Sequence, residues 1–387
     1  FRTSGFVMDA LVYQRNLINR GLGIEINIYS SQDKLVQADL NLFIDRVQNT
    51  RWLGFAKINV LMVNQEVILT PHLAAFKAQR KYLHQIHFTL CKTQYGLDFM
   101  NRIKEKYQYQ FENVLVGHTT IFPKINISPS ERDWSRILHP AGAHNWKNTD
   151  TVIKCWLEYG LKMKLPPIDI ICHRKCLSSL RDYLNPSEYQ KMLNHELINF
   201  RTEPLSFKDL VNLKYQIGIH LCPSMAEGFG HYINEGRITK SLVITTNLAP
   251  MNELIDSESG VLIDCYQIKE KTNGNHICFI ETKELAKTIK KVEKMDLGEK
   301  ERIGEQAFEK YQADRQFFQE RIIDFAEMIQ ALLDKKQQKR SSKKKSSRRS
   351  SKKKSSRRSS KKRSSRRSIK RRKSSKRRIP SKSSKRS

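Results

Sequence analysis

The 387-residue chain lacks several things that would assign it to common classes. It has no run of eighteen or more apolar residues, which excludes a membrane-spanning helix. The start, FRTSGFVMDALVYQRN, has no charged-then-apolar signal segment and no initiating Met, and reads as a fragment or a misplaced start. Cysteine is sparse: seven residues (91, 155, 172, 176, 222, 265, 278), odd in number and scattered, predict reduced thiols in a cytosolic compartment. Cys172, His173 and Cys176 form the one tempting cluster, but no second ligand pair stands at zinc-finger spacing, so buried thiols are the expectation. The last 53 residues, 335–387, hold no acid at all and 29 Lys or Arg. Of 71 basic residues that leaves 42, set against 39 acids, so the body is near neutral at +3 and the net +32 belongs to the tail.

What is present is 39% apolar residue content, enough for real cores in two ordinary domains. Strand and helix patterns alternate along the chain. Ile24–Ser30 alternates as a strand after a helix through Leu11–Asn19. Ala56–Val63 is largely apolar, as a parallel strand buried on both faces requires. A helix opening at Pro71, a strand at Ile86–Cys91, a helix at Tyr95–Tyr107 and a strand at Asn113–Val116 complete a first domain, residues 1–135. A second alternation starts at Arg136–Pro140 and continues with a helix at Thr149–Tyr159 and strands at Ile168–Cys172, Leu197–Phe200 and Ile217–Cys222. Ser206 to Asp209 reads as a capping box opening the helix before Ile217. Strands at Leu242–Thr245 and Val261–Asp264 and helical spacing from Glu281 to Leu333 close a second domain, 136–334. Residues 335–387, repeating KKKSSRRSS, have almost no apolar residues and predict a disordered tail. The fold expected is α/β, two Rossmann-like doubly wound domains facing a cleft at the carboxyl ends of both sheets.

Chemistry concentrates in Gly218–Ile255, GIHLCPSMAEGFGHYINEGRITKSLVITTNLAPMNELI. A short apolar strand leads through a turn to Glu227-Gly228-Phe229-Gly230 and a helix carrying Glu235, with seven residues between the glutamates. Glycines in such a turn admit close approach of a ligand, and the helix start favours anionic oxygens. This stretch, ending in APMNEL, resembles the donor-sugar site of family 4-type glycosyltransferases of the GT-B fold, whose signature is Glu, seven residues, Glu. LHPAGAHNWKNTDTVIKCW at 138–156 resembles the first strand, loop and helix of their C-terminal domain, and VNQE at 63–66 with LCKT at 90–93 is a weaker match in the N-terminal half.

The resemblance implies retaining transfer of a sugar from a UDP- or GDP-sugar to an acceptor. Glu227 would take the hydroxyls of the donor sugar and Glu235 the ribose. Gly228, Phe229 and Gly230 would offer backbone N–H groups to sugar and diphosphate, Lys147 would be the cation on the diphosphate, and Gly142 would allow close approach. Fixed dipoles and a lysine oppose the charge that develops on a departing nucleoside diphosphate, so no metal is called for; no Asp-x-Asp pair occurs in the chain. The family carries a second basic residue just after that glycine, where this chain has Ala143-His144. His144, Lys92 and Arg237 are the candidates to replace it. On the acceptor side stand Ser4, Gly5 and Lys92, and the strand that precedes this loop in the family is missing here.

Each of these residues has a plainer reading. EGFG alone is more often a surface turn, and glutamates on a helix are usually solvated; strand, turn and helix context together with a second matching loop favours function. For Lys147 the two readings are about even. His118, His139, His144 and His231 read as structural residues, and Trp134, Trp146 and Trp156 as core. The tail reads either as a solvated appendage or as a polycation for nucleic acid or an anionic membrane surface. Its serine pairs are sites where phosphorylation would cancel that attraction. A catalytically weak sugar-nucleotide-binding protein and a nucleic-acid-associated protein are the alternative readings; the location expected is cytoplasmic, with nuclear association through the tail.

Overall fold

The computed structural model describes residues 5–18, 24–30, 32–66, 68, 76–125, 131–142, 145–203 and 205–374. The chain divides into two compact units, Phe1–Phe325 and Ala326–Ser387.

The first unit opens with helix α1 (Gly5–Ile18) and a four-stranded parallel sheet, β1 (Ala38–Asp45), β2 (Ala56–Val63), β3 (Phe88–Cys91) and β4 (Glu112–Leu115), paired in that order. A 3₁₀ turn at Thr50–Phe55, helix α2 (Phe76–Leu83) and helix α3 (Gln94–Tyr107) make the crossovers. Thr93 caps α3 by accepting from Gly96 N at 3.1 Å. The strand expected at Ile24–Ser30 is not one: that segment joins no sheet among the described residues, and Ile28 and Tyr29 are 52% and 45% exposed. Its alternation has no buried face to answer to. The edge position belongs instead to β1, whose Asn41 bonds the Trp52 carbonyl at 2.6 Å.

The second sheet has six parallel strands in the order β10-β9-β8-β5-β6-β7. In chain order its elements are β5 (Asp133–Gly142), α4 (Thr149–Cys155), β6 (Ile168–Cys172), α5 (Arg174–Tyr183), α6 (Pro186–Leu193), β7 (Ile198–Arg201), α7 (Phe207–Gln216), β8 (Ile217–Cys222), α8 (His231–Ile238), β9 (Leu242–Thr246), α9 (Met251–Leu254) and β10 (Val261–Ile263). Helix α4 runs on as one π-type turn, Trp156–Gly160, and Trp156 is fully buried. Ser206 caps α7 as its sequence predicts, accepting from Asp209 N at 3.1 Å. The central strands β8 and β9 are buried along their whole lengths, each apolar side chain contributing roughly 1.5–3 kcal/mol. The chain leaves β5 toward β6 on one side and returns as β8 on the other, so β5 and β8 flank a switch point where open α/β sheets bind ligands.

Beyond β10 comes a hairpin absent from the sequence expectation, β11 (Gln267–Glu270) and β12 (His276–Phe279), paired antiparallel. Cys265 and Cys278 are disulfide-bonded across it, which corrects the reading of seven reduced thiols. Thirteen residues apart, they meet only because the hairpin folds back. Cys91, Cys155, Cys172 and Cys222 are buried, as expected of packing thiols.

Helix α10 (Thr282–Lys294) is followed by α11 (Leu297–Ser374). Within the first unit α11 reaches both sheets. Phe318 meets Tyr13 and His118 edge-on, Phe325 meets Phe88, and Ala307 and Asp314 receive Arg237. The second unit is helix through Ser374. Beyond Leu333 its backbone follows the good helix propensity of Lys and Arg, without an apolar stripe. No helix among the described residues is long and apolar enough to cross a membrane.

Candidate functional site

Two loops meet at the carboxyl ends of β5 and β8. At the end of β5, Gly142 has φ +64° and nothing within 4 Å of where a Cβ would stand, so the backbone there faces open space. A 3₁₀ turn, Asn145–Lys147, follows. After β8, Pro223 accepts from Asn148 Nδ2 at 2.7 Å, and Met225 N donates to the Trp146 carbonyl at 2.8 Å. These bonds stitch the loops together and bring Lys147 onto the Glu227 carboxylate, which also accepts from Ser224 Oγ. The Lys147 ammonium lies 3.6 Å from the centroid of the Tyr232 ring. Both partners of the pair remain partly exposed, at 16% and 12%.

The turn after Glu227 is pressed against loops from the first sheet. Gly228 abuts Asn64: a Cβ there would stand 2.5 Å from Asn64 Oδ1. Gln65 Nε2 donates to the Glu227 carbonyl at 2.8 Å. Phe229 is buried, edge-on to His118 (4.7 Å) and His231 (5.3 Å). Gly230, at φ +89°, starts α8 in a conformation that favours glycine. One turn into α8, Glu235 pairs with Lys214 of α7, whose side chain is only 4% exposed. The two glutamates of the seven-residue spacing are thus each held by a lysine, and the Lys214 partner has no sequence signature.

A buried polar cluster joins the two halves. Asp9 of α1 accepts from His118 Nε2 at 2.6 Å and His231 Nε2 at 3.0 Å on one oxygen, and from Lys92 Nζ at 3.0 Å on the other. Lys92 also donates to Asn64 Oδ1 at 2.6 Å, and His231 Nδ1 accepts from Thr120 Oγ1 at 2.9 Å. Lys92, His118 and His231 hold the Asp9 carboxyl well below its ordinary range against the opposing cost of burial. Burial drives His118 down to about 4. Asp9, His118 and His231 also bring ligand-type atoms within 4.8 Å of one another, a grouping that can hold a metal ion, although the Lys92 ammonium already supplies positive charge there. Glu66, half-buried, is pushed up to about 8, first by desolvation and then by Glu227.

Of the candidates for a second cation, Arg237 is excluded from the cleft: it is fully buried and bound to Asp314 (2.6 Å), Asn234 (2.7 Å) and the Ala307 carbonyl (3.4 Å). Lys92 is engaged by Asp9 and Asn64, and His144 lies outside the described residues, as does Ser4. Gly5 opens α1. His139 is structural: Nδ1–H donates to the Leu221 carbonyl at 2.9 Å and Nε2 accepts from Thr149 Oγ1 at 3.0 Å. Trp146, expected in the core, is only half-buried and lies beneath Lys271. Asp9, Lys214 and Lys271 carry no motif, whereas Glu66 ends the VNQE match.

A groove of about 1040 Å³ lies apart from these loops, lined by Arg15, Lys124, Arg132 and Arg315 among others; Thr120, whose hydroxyl donates to His231, is part of its wall.

No protein-family model matches the chain, and no curated protein matches it in sequence. Solved structures do match in fold. The pneumococcal O-GlcNAc transferase GtfA, in complex with UDP and GlcNAc, aligns over 77% of this chain and 58% of its own length, at TM-score 0.55 and 14% identity. This chain therefore spans less than two thirds of that protein. Anabaena HepE, in complex with UDP and glucose, aligns over 76% of this chain and 78% of its own, at TM-score 0.53 and 14% identity. A glycosyltransferase from Rickettsia africae aligns over 75% and 76%, at TM-score 0.53 and 16% identity. The two parallel sheets have the arrangement of the GT-B glycosyltransferases.

Proposed function

We propose that the chain is a glycosyltransferase that moves a sugar from a UDP- or GDP-sugar to an acceptor with retention and without a metal. Residues 1–135 form the acceptor domain and 136–334 the donor domain. The observation that carries this reading is the meeting of Glu227, Lys147 and the Gly228–Gly230 turn at the β5/β8 switch point, against Asn64 and Gln65 of the other half. Lys147 takes the diphosphate as it departs with increasing negative charge, and the N–H groups of the turn add fixed dipoles. Glu227 accepts from sugar hydroxyls and Glu235 from the ribose. Donor binding exchanges both ion pairs, Lys147 with Glu227 and Lys214 with Glu235, for contacts to the nucleotide. The resemblance of the motifs and the UDP complexes of the similar folds support this reading.

The test is a panel of UDP-, GDP- and ADP-sugars, scored by thermal stabilisation and release of nucleoside diphosphate. One donor should do both, Glu227→Ala should abolish turnover, and Lys147→Met should slow release roughly a hundredfold, as loss of one electrophilic group does. No stabilisation by any donor sinks the proposal. Stabilisation without turnover supports the second reading, a sugar-nucleotide-binding protein, which the prior engagement of both glutamates and the Ala143 position favour. For the second unit we propose binding to polyanions such as nucleic acid through its 29 basic residues. That binding should weaken steeply with salt and vanish on deletion of 335–387.

A further inference from the structure

The β11–β12 hairpin delivers a cation to the cleft that no motif announces. Its turn is closed by Lys271 N to the Asn275 carbonyl (2.7 Å) and Gly274 N to the Lys271 carbonyl (2.8 Å), with Gly274 at φ +88°. The hairpin is pinned on two sides. Cys278 N donates to the Met225 carbonyl at 2.9 Å, in the loop that carries Glu227. From the other half of the unit, Tyr95 Oη donates to Asn275 Oδ1 and accepts from His276 N, each at 2.8 Å, while Asn273 Nδ2 donates to the Ile68 carbonyl at 2.8 Å. So held, Lys271 places its ammonium 3.7 Å from the centroid of the Trp146 ring, on the residue before Lys147.

We infer that Lys271 binds an anionic oxygen of the bound sugar nucleotide, on the diphosphate or on a carboxylate of an acidic sugar; this rests on the nucleotide-sugar reading above. The charges around it carry the inference. Lys147 is opposed by Glu227, Lys214 by Glu235, Lys92 by Asp9 and Arg237 by Asp314. Lys271 makes no ion pair among the described residues. The carboxyl that acts on it is Glu66, whose own charged form is disfavoured, first by burial and then by Glu227. Desolvation pushes the Lys271 ammonium below its ordinary range, the cost of a cation held partly out of water without a full counter-charge. A phosphate or carboxylate oxygen would supply that counter-charge. The hairpin spans from the Glu227 loop to Tyr95 and Ile68, so this contact would also be made only with the two halves together.

The test uses the full chain with Lys271→Met, which keeps the stem on Trp146, and Lys271→Arg, which keeps the charge. Calorimetric affinities are measured for UDP, GDP, uridine, guanosine, UDP-glucose and UDP-glucuronate, with ligand-free melting temperatures as the control for folding. Lys271→Met should weaken UDP or GDP roughly ten- to a hundredfold, leave the nucleoside unchanged, and be rescued by Lys271→Arg. That outcome assigns the diphosphate. Loss confined to the preference for UDP-glucuronate over UDP-glucose assigns the sugar carboxylate instead. If Lys271→Met equals the wild type for every probe while Lys147→Met loses affinity, the inference is overturned and the nucleotide-sugar reading stands. If the wild type binds none of the probes, both fall.

Discussion

Replacing Gly228 by Ala should prise apart the contact between the Glu227 loop and the first sheet. Gly228 does not need a positive φ, so an alanine meets no backbone strain. It meets Asn64 instead: the new Cβ would lie 2.5 Å from Oδ1, 2.9 Å from Cγ and 3.3 Å from Cβ. The amide cannot simply turn away, because Oδ1 accepts at 2.6 Å from Lys92, whose side chain is 2% exposed and has Asp9 as its other partner. Overpacking costs about 1–3 kcal/mol. Loss of a hydrogen bond to a buried charge adds about 1.5–3 kcal/mol. A destabilisation on the order of 2.5–6 kcal/mol follows, read by urea unfolding. Because a unit with two sheets need not unfold in one step, the sharper readout is a double-mutant cycle with Asn64→Ala, which removes the clash. The two substitutions should couple by about 1–3 kcal/mol. Additivity within about 0.5 kcal/mol, or a single variant as stable as the wild type, would refute the close approach.

Two further outcomes follow from the buried polar groups. His118 and His139 are held near 4 and His220 near 3, each first by desolvation. Their folded values lie below the unfolded value of about 6.5, so the unfolded chain takes up protons first; stability is full above pH 6.5 and drains as pH falls from there toward 4. Calorimetry at pH 5 in buffers of differing ionisation enthalpy should find net proton uptake on unfolding, the protons taken up by these three histidines outnumbering the one that Glu66, held near 8 in the fold, gives back; net release would contradict their burial as neutral groups. Tyr95→Phe removes the hydroxyl that bonds Asn275 and His276, so the hairpin should undock more readily by about 1–3 kcal/mol. Amide exchange across 267–279 should accelerate accordingly, and unchanged protection would show that the hydroxyl does not hold the hairpin.

Where a segment is buried on both faces, its composition alone specifies it. Ala56–Val63, Ile168–Cys172 and Ile217–Cys222 are strands at the bounds their apolar runs predict. Partly exposed elements were harder to read. The edge strand β1 mixes two acids and an asparagine with its apolar residues, α5 and α6 fall in a polar stretch, and the hairpin carries Lys, Glu and Asn. The same division runs through the candidate site. Glu227, Gly228–Gly230, Gly142 and Lys147 are short-range motif residues, and the structure brings the two loops together. Arg237 illustrates the opposite error: two residues beyond Glu235, it turns to the far side of α8 and into Asp314.

The sequence by itself determined the two parallel sheets and the pair of glycine-bearing loops at their switch point, because burial periodicity and turn chemistry act between near neighbours. Only the tertiary structure decided which charges face one another. Lys214 reaches Glu235 across 21 residues, Asp9 reaches His118 across 109 and His231 across 222, and Tyr95 reaches the hairpin across 180. Contacts of that range leave no spacing in the chain, since they depend on how two separately specified sheets are brought against each other. The disulfide and the Lys271 ammonium over Trp146 arise in the same way, from a hairpin whose local sequence reads as loop.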